Sequence, residues 1–200
     1  MRIGIFGGSF DPVHTGHLIL AEYVKEGAGL DRLVLMPAYV SPFKIGKSNA
    51  SSEDRLEMAY LATHENPHIE VDPYEVQKAT PSYTADTMAE LKRNRWPDDS
   101  LYFVAGTDSI LEVEKWKDAD TLLRTFGFVV GTRPGYRDEE LDEHIKYLRD
   151  TYGTDVIKVN IPKVDISSTS IRRRSKEGKS IKYLVPRQVE EYIISHGLYK

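Results

Sequence analysis

The chain has 200 residues, 40% of them apolar, which suits a single α/β-sized domain spanning 1–200 with a sizeable core. A formal charge of −4 argues against a general nucleic-acid binder, so any charge that holds phosphate must be concentrated locally. The chain has no cysteine, which excludes disulfides, thiolate metal sites and a cysteine nucleophile. With no signal-like segment before the first strand and no apolar run long enough to span a bilayer, the expectation is a cytoplasmic protein without a membrane partner.

Arg2 to Phe6 is short, largely apolar and β-favouring, and reads as a strand. Gly7-Gly8 then allows a turn that other residues avoid, with no side chain between backbone and ligand. Asp11-Pro12 ends the turn. A helix begins at Thr15, with Leu18, Ile19, Ala21 and Val24 at helical spacing. Backbone N–H groups and the positive end of a helix dipole thus lie just past a strand's carboxyl end, a ready anion site. His14 and His17, three residues apart, can face the same way and stabilise charge on phosphoryl oxygens. Bound phosphates would favour their charged form. The same residues also admit a plain exposed or core histidine pair. A metal site with Asp11 is a third reading, but no cysteine or further clustered carboxylate closes it.

Asp31 to Met36 reads as the second strand, stopped by Pro37. Residues 38–49 form a loop containing Ser41-Pro-Phe-Lys44 and Gly46-Lys-Ser48; the latter is not a P-loop, because position 41 is not glycine. Ser52 to His64 is a helix capped by Ser51 or Ser52, with Leu56, Ala59, Tyr60 and Leu61 inward. Arg55 sits in its first turn, where the dipole disfavours a cation, so it meets either an anionic partner or a surface salt bridge. Ile69 to Val76 reads as a third strand. A helix follows Pro81, capped by Ser82 or Thr84, with Met88 and Leu91 as core contacts. Leu101 to Ala105 is a fourth strand leading into Gly106-Thr-Asp108, where the acid is either a ligand position or a helix cap. Trp116 lies in a polar run as an anchor or as a stacking platform for a flat ring. Thr125 to Gly131 is a fifth strand, followed by the turn Thr132-Arg-Pro-Gly135. Arg137 to Tyr152 is a charged helix with Leu141, Ile145 and Leu148 inward, and Val156 to Val159 is a sixth strand. Strand and helix alternate about every 30 residues, which predicts βαβ units and a parallel sheet. Near the other end, Ile166 to Arg172 opens a helix capped by Ser167 or Ser168, with Arg172 one turn in and able to reach back to phosphate. Arg173 and Arg174 point elsewhere around that helix. Pro186 to His196 is a last helix, with Pro186 at its first position and Gly197 past its end.

Two of these stretches resemble the paired signatures of the nucleotidylyltransferase superfamily. The first is Gly-Gly-Ser-Phe-Asp-Pro running into His14-Thr-Gly-His17, and the second is Ser167-Ser-Thr-Ser-Ile-Arg172. The middle of the chain is similar to the bacterial nicotinate-nucleotide adenylyltransferases within it. The matches are Met36-Pro37, the loop ending at Lys44, Arg55, Pro81-Ser-Tyr-Thr84 with Asp86-Thr87, Gly106-Thr-Asp108, Lys115-Trp116, Arg133-Pro-Gly135 and Tyr183-Leu-Val-Pro186. One departure stands out: the family loop often reads Pro-Pro-His-Lys, and here Phe43 replaces the polar residue, leaving Lys44 to carry any role.

The resemblance implies a doubly wound α/β fold with a mostly parallel, Rossmann-like sheet. It implies transfer of the adenylyl group of ATP to nicotinate mononucleotide, releasing pyrophosphate, by direct in-line attack. His14, His17, Lys44 and Arg172 would be the catalytic set. Gly7, Gly8, Ser9, Phe10, Ser168 and Thr169 would join His14, His17 and Arg172 in holding ATP. Tyr83, Thr84, Asp108, Trp116 and Arg133 would hold nicotinate mononucleotide. Mg²⁺ would come with ATP rather than from a dedicated protein site, and a homo-oligomer is left open. The alternatives are nicotinamide mononucleotide or phosphopantetheine as acceptor, or a nucleotide-binding module without turnover on the same fold.

Overall fold

The computed structural model describes residues 1–40, 50–132 and 137–200. Its elements in order are β1 (Arg2–Gly8), α1 (Thr15–Gly27), β2 (Arg32–Pro37), α2 (Ser52–Thr63), β3 (Ile69–Val71), α3 (Tyr74–Lys78), α4 (Thr84–Asn94), β4 (Ser100–Gly106), α5 (Thr107–Ile110), a 3-10 turn (Val113–Lys115), α6 (Ala119–Thr125), β5 (Gly127–Thr132), α7 (Asp138–Tyr152), β6 (Val156–Asn160), α8 (Ser168–Lys176) and α9 (Arg187–Ser195). Six strands form one sheet in the order β3-β2-β1-β4-β5-β6. The β1/β4, β4/β5 and β5/β6 ladders are parallel. Strand order reverses between β1 and β4, the doubly wound arrangement the sequence predicts, and ligands of such sheets sit outside the carboxyl ends at that reversal.

The chain divides into two compact units. The first comprises Met1–Gly7, Leu20–Val34 and Tyr83–Lys163. Its central strands are buried on both faces, so Phe128-Val-Val130 reads as an unbroken apolar run rather than an alternation. Leu141, Ile145 and Leu148 close one side from α7, as their spacing requires. The second unit comprises Gly8–Ile19, Leu35–Ser82 and Val164–Lys200. There α2 packs on α9, burying Met58 and Ala59 with Val189 and Ile193. Among the described residues, no helix is long and apolar enough to cross a membrane.

Several elements differ from the sequence reading. The third strand stops at Val71; Asp72 Oδ1 accepts the Tyr74 N–H at 2.9 Å, and Pro73 leads straight into α3. The inward face of α2 is rotated: Arg55, Met58 and Ala59 are buried, whereas Tyr60 is exposed. Neither Ser82 nor Thr84 caps α4. Its N-cap is Tyr83, without a side-chain cap bond, and Ser82 Oγ instead accepts the Tyr39 N–H at 3.2 Å. Asp108 is not a cap either, since Gly106 holds that position of α5. Residues 119–125 are helical, so β5 starts only at Gly127. Pro186 is the N-cap of α9 rather than its first residue.

Gly27 illustrates packing against propensity within the first unit. It closes α1, where Gly→Ala normally stabilises by about 1 kcal/mol. A methyl there would lie 2.6 Å from Val159 Cγ1, and a β-branched strand residue has little room to rotate away. Overpacking of this kind costs about 1–3 kcal/mol. Gly27→Ala is therefore expected to lower the free energy of urea unfolding by about 1 kcal/mol or more, the clash outweighing the propensity gain; a more stable variant would contradict this packing.

Candidate active site

In the second unit the two signatures from opposite ends of the chain meet. Ser167 caps α8, accepting the Ser170 N–H, and Ser170 Oγ accepts back from the Ser167 N–H. That fixes the helix start so that Ser168 Oγ donates to the Pro12 carbonyl at 2.9 Å. Arg172 Nη1 donates to the Asp11 carbonyl at 2.7 Å, and Nη2 donates to Thr169 Oγ1 at 3.3 Å. Arg173 and Arg174 turn elsewhere, as predicted from helix geometry, and line a separate cleft of about 410 Å³ with Asp165, Glu177 and Lys179.

His14 and His17 stack with centroids 3.6 Å apart and planes 20° apart. Each imidazole serves the other's backbone: the His14 N–H donates to His17 Nδ1 at 3.2 Å, and the His17 N–H donates to His14 Nδ1 at 3.3 Å. This reciprocal bonding consumes helix-start donors in the manner of a capping box. It also fixes chemistry, because an Nδ1 that accepts carries no proton, so each neutral ring bears its hydrogen on Nε2. A Cβ on Gly16 would sit 3.1 Å from His14 Nδ1, so any larger residue would press on that ring. Phe10 meets His17 edge-on at 5.0 Å, and a Cβ on Gly8 would lie 3.0 Å from the Phe10 ring.

His14 is only 5% exposed, and burial pushes its pKa down from 6.5 to about 4. Burial thus favours the neutral imidazole of His14 at neutral pH, whereas the sequence reading has bound phosphates favouring the charged form. The sign for stability follows. The unfolded histidine binds its proton near pH 6.5 and the folded one only near 4, so stability is fully present above 6.5 and falls as pH drops between those values. The loss amounts to about 3 kcal/mol.

Arg55 was expected in a surface salt bridge or beside an anionic partner; it is not on the surface, and the nearby Asp11 charge favours its charged form against burial. It is 2% exposed. Nη1 donates to the carbonyls of Ser9 at 2.7 Å and Ala38 at 2.6 Å, and Nη2 donates to that of Tyr39 at 2.7 Å. Burial lowers its pKa from the usual range. Asp11 is likewise buried; its Oδ1 accepts from the Tyr199 hydroxyl and from the Ala50 N–H. Among the described residues no three His, Asp or Glu side chains form a metal cage, and Asp11 does not assemble one with His14 and His17. Sequence reasoning missed Tyr199 altogether, and nothing in its local pattern signals the contact.

The residues proposed for the second substrate that the structure describes lie in the first unit. Tyr83 is exposed and precedes a helix start that no side chain caps, with Thr84 its first residue. Lys117 bridges this helix to the next loop, pairing with both oxygens of Asp86 at 2.9 and 3.0 Å and lying 5.0 Å over the Tyr83 ring. Trp116 is half-buried at the end of the 3-10 turn and meets Phe103 edge-on at 5.6 Å. Asp108 is exposed and takes an ion pair from Arg137 Nη1 at 3.0 Å. Gly7 ends the β1 run in this unit, where a Cβ would crowd the Phe103 ring at 3.1 Å. Lys44, Phe43 and Arg133 lie outside the described residues.

An NMR titration of the imidazoles should find His14 neutral at pH 7, with a midpoint near 4 and the Nε2–H tautomer. A midpoint above 6 would contradict the buried, acceptor-type ring described here.

The cytidylyltransferase-like family model matches residues 5–174, which contain both signatures. A relative from Thermoanaerobacter sp., named probable nicotinate-nucleotide adenylyltransferase, is 42% identical over 200 residues, covering 100% of this chain and 95% of its own. One of the same name from Thermus thermophilus is 43% identical, with 100% of both chains covered. Among solved structures, the nicotinic acid mononucleotide adenylyltransferase of Plasmodium falciparum, complexed with NaAD, has the same fold; the TM-score is 0.79 at 20% identity, over 99% of this chain and 97% of that one. With the family model spanning both signatures and relatives above 40% identity matching from end to end, the chain belongs to the cytidylyltransferase-like family and, within it, to the nicotinate-nucleotide adenylyltransferases.

Proposed function

We propose that the protein transfers the adenylyl group of ATP to nicotinate mononucleotide, giving nicotinate adenine dinucleotide and pyrophosphate. The observation that carries this reading is the docking of the α8 start on the Asp11-Pro12 segment, which gathers Arg172, Ser168 and the stacked histidines about one turn. The names of the relatives supply the acceptor. The mononucleotide phosphate is the nucleophile, so no side chain has to become one. Both substrates are anions, and the protein's task is to align them and to offset their repulsion.

In this reading the Nε2–H groups of His14 and His17 donate to the ATP phosphates around the transferring centre. Donors held in place before reaction stabilise the developing charge without reorganising. A neutral His14 suits this role, since a preorganised donor needs a proton and not a charge. The backbone from Gly7 to Phe10 lines the phosphates. Arg172 and Lys44 hold the β and γ end, with the hydroxyls and first amides of Ser168 and Thr169 beside them. Mg²⁺ bound with ATP would supply neutralisation of the phosphate charge, without a dedicated set of protein ligands. On the acceptor side, Trp116 offers a face to the pyridine ring, and the uncapped start of α4 at Tyr83 and Thr84 receives the carboxylate. That contact selects nicotinate over nicotinamide. Asp108 and Arg133 contact the rest of the mononucleotide. The protein acts as a cytoplasmic enzyme.

The test is pyrophosphate release from ATP and Mg²⁺ with nicotinate mononucleotide, nicotinamide mononucleotide or phosphopantetheine in separate reactions. Release mainly with the first is expected. Release mainly with another would overturn the acceptor assignment, and silence with all three would leave a nucleotide-binding module. His17→Ala is expected to lower kcat by about 10²–10³, as removal of one transition-state donor does; activity near the wild-type level would remove His17 from the chemistry.

A further inference from the structure

Asp11 and Arg172 present opposite charges side by side, and a carboxylate within reach of a guanidinium normally captures it in paired, charge-assisted bonds. Here it does not. Arg172 Nη1 stays 3.9 Å from Asp11 Oδ2, beyond hydrogen-bond distance. The guanidinium is held instead by two uncharged acceptors, the Asp11 main-chain carbonyl and Thr169 Oγ1. On the other side of the carboxylate, the Tyr199 hydroxyl donates to Oδ1 at 2.7 Å, beside the Ala50 N–H at 3.2 Å. Both Asp11 and Tyr199 are buried. Tyr199 reaches this place with φ +62°, in the left-handed region, just after Gly197 at φ +65°. A bulky residue held there by its surroundings marks a position where the chain is bent to serve a contact. Burial, with the Asp11 charge second, raises the phenol pKa far above its ordinary value, so the hydroxyl remains a donor.

We propose that Tyr199 is a positioning residue for the nucleotide: by engaging Asp11 Oδ1 it keeps the carboxylate from capturing Arg172, whose charge then stays directed to phosphate. This rests on the reading of Arg172 as a phosphate ligand. Tyr199 itself needs no contact with substrate. Remove its hydroxyl and the buried carboxylate loses a donor in a place where water cannot replace it. Arg172, with Nη1 3.9 Å from Asp11 Oδ2, is a cation close enough to compensate, and a bidentate pair with Asp11 would withdraw it from ATP.

The experiment measures binding of Mg²⁺ and α,β-methylene-ATP to the full-length protein by calorimetry, so that it does not depend on the acceptor. Tyr199→Phe keeps the ring and deletes the hydroxyl; it is expected to weaken binding about tenfold. Adding Asp11→Asn to Tyr199→Phe should restore most of that loss, because the amide no longer attracts Arg172 while its oxygen still accepts the Ala50 N–H. A purely structural tyrosine would lower the melting temperature and show no such rescue, so a double variant as weak as Tyr199→Phe would overturn the proposal. Arg172→Gln separates the two layers of argument. If it leaves binding unchanged, the phosphate role of Arg172 fails and the Tyr199 proposal with it. If it weakens binding while Tyr199→Phe does not, the role of Arg172 stands and the proposal for Tyr199 falls alone.

Discussion

In the second unit one buried cation gathers main-chain carbonyls from two separate segments, the turn after β1 and the stretch after β2. Arg55 collects the carbonyls of Ser9, Ala38 and Tyr39. The planar fork of a guanidinium can serve three acceptors in one plane, which an ammonium on a flexible stem does less well. The acceptors are neutral dipoles rather than a carboxylate. The charge is held by main-chain carbonyls after β1 and after β2, with the Asp11 carboxylate acting on it from nearby. Burial of an arginine is costly and is tolerated only where every contact contributes. Here it fixes the backbone that the remaining features build on.

From that fixed turn the chemistry is a matter of which hydrogens point outward. The stacked histidines hold their Nδ1 atoms on each other's backbone N–H groups, which puts the ring hydrogens on Nε2. Asp11 binds Tyr199 and Ala50 through one oxygen, while its main-chain carbonyl anchors Arg172. The imidazole pair and a guanidinium on uncharged acceptors supply donors, beside a buried carboxylate that accepts. Donors would suit the proposed reaction, in which two anions must approach.

Much of this was legible in the sequence, and the reasons for the exceptions are physical. The histidine spacing and the serines at the start of α8 could be read one at a time, whereas Gly7 and Gly8, expected to turn at φ values other residues avoid, end strand β1 without a positive φ and instead leave room for the Phe103 and Phe10 rings. Strands such as Phe128-Val-Val130 are legible from their β-branched, apolar run. The α3 segment was misread as strand because Val71 and Val76 suggest extended chain, although Asp72-Pro73 is a helix-start signal that could have outweighed them. Arg55 could be placed on α2 but not in depth. An arginine's type says charge, and only the tertiary position of three carbonyls makes burial affordable. The α4 caps failed for a similar reason: Ser82 is taken by Tyr39, a partner 43 residues away that no local pattern reveals. Tyr199 carries no local signal, since its meaning lies in Asp11 at the other end of the chain.

The central claim is that this site aligns and stabilises without forming a bond to substrate. The stereochemistry at the α-phosphorus tests it most directly. ATP carrying a single-configuration sulfur at the α-phosphate would be turned over with nicotinate mononucleotide, and the configuration of the dinucleotide product determined. A single in-line displacement predicts inversion. Retention would require two displacements, hence a covalent adenylyl-enzyme, and would contradict the account.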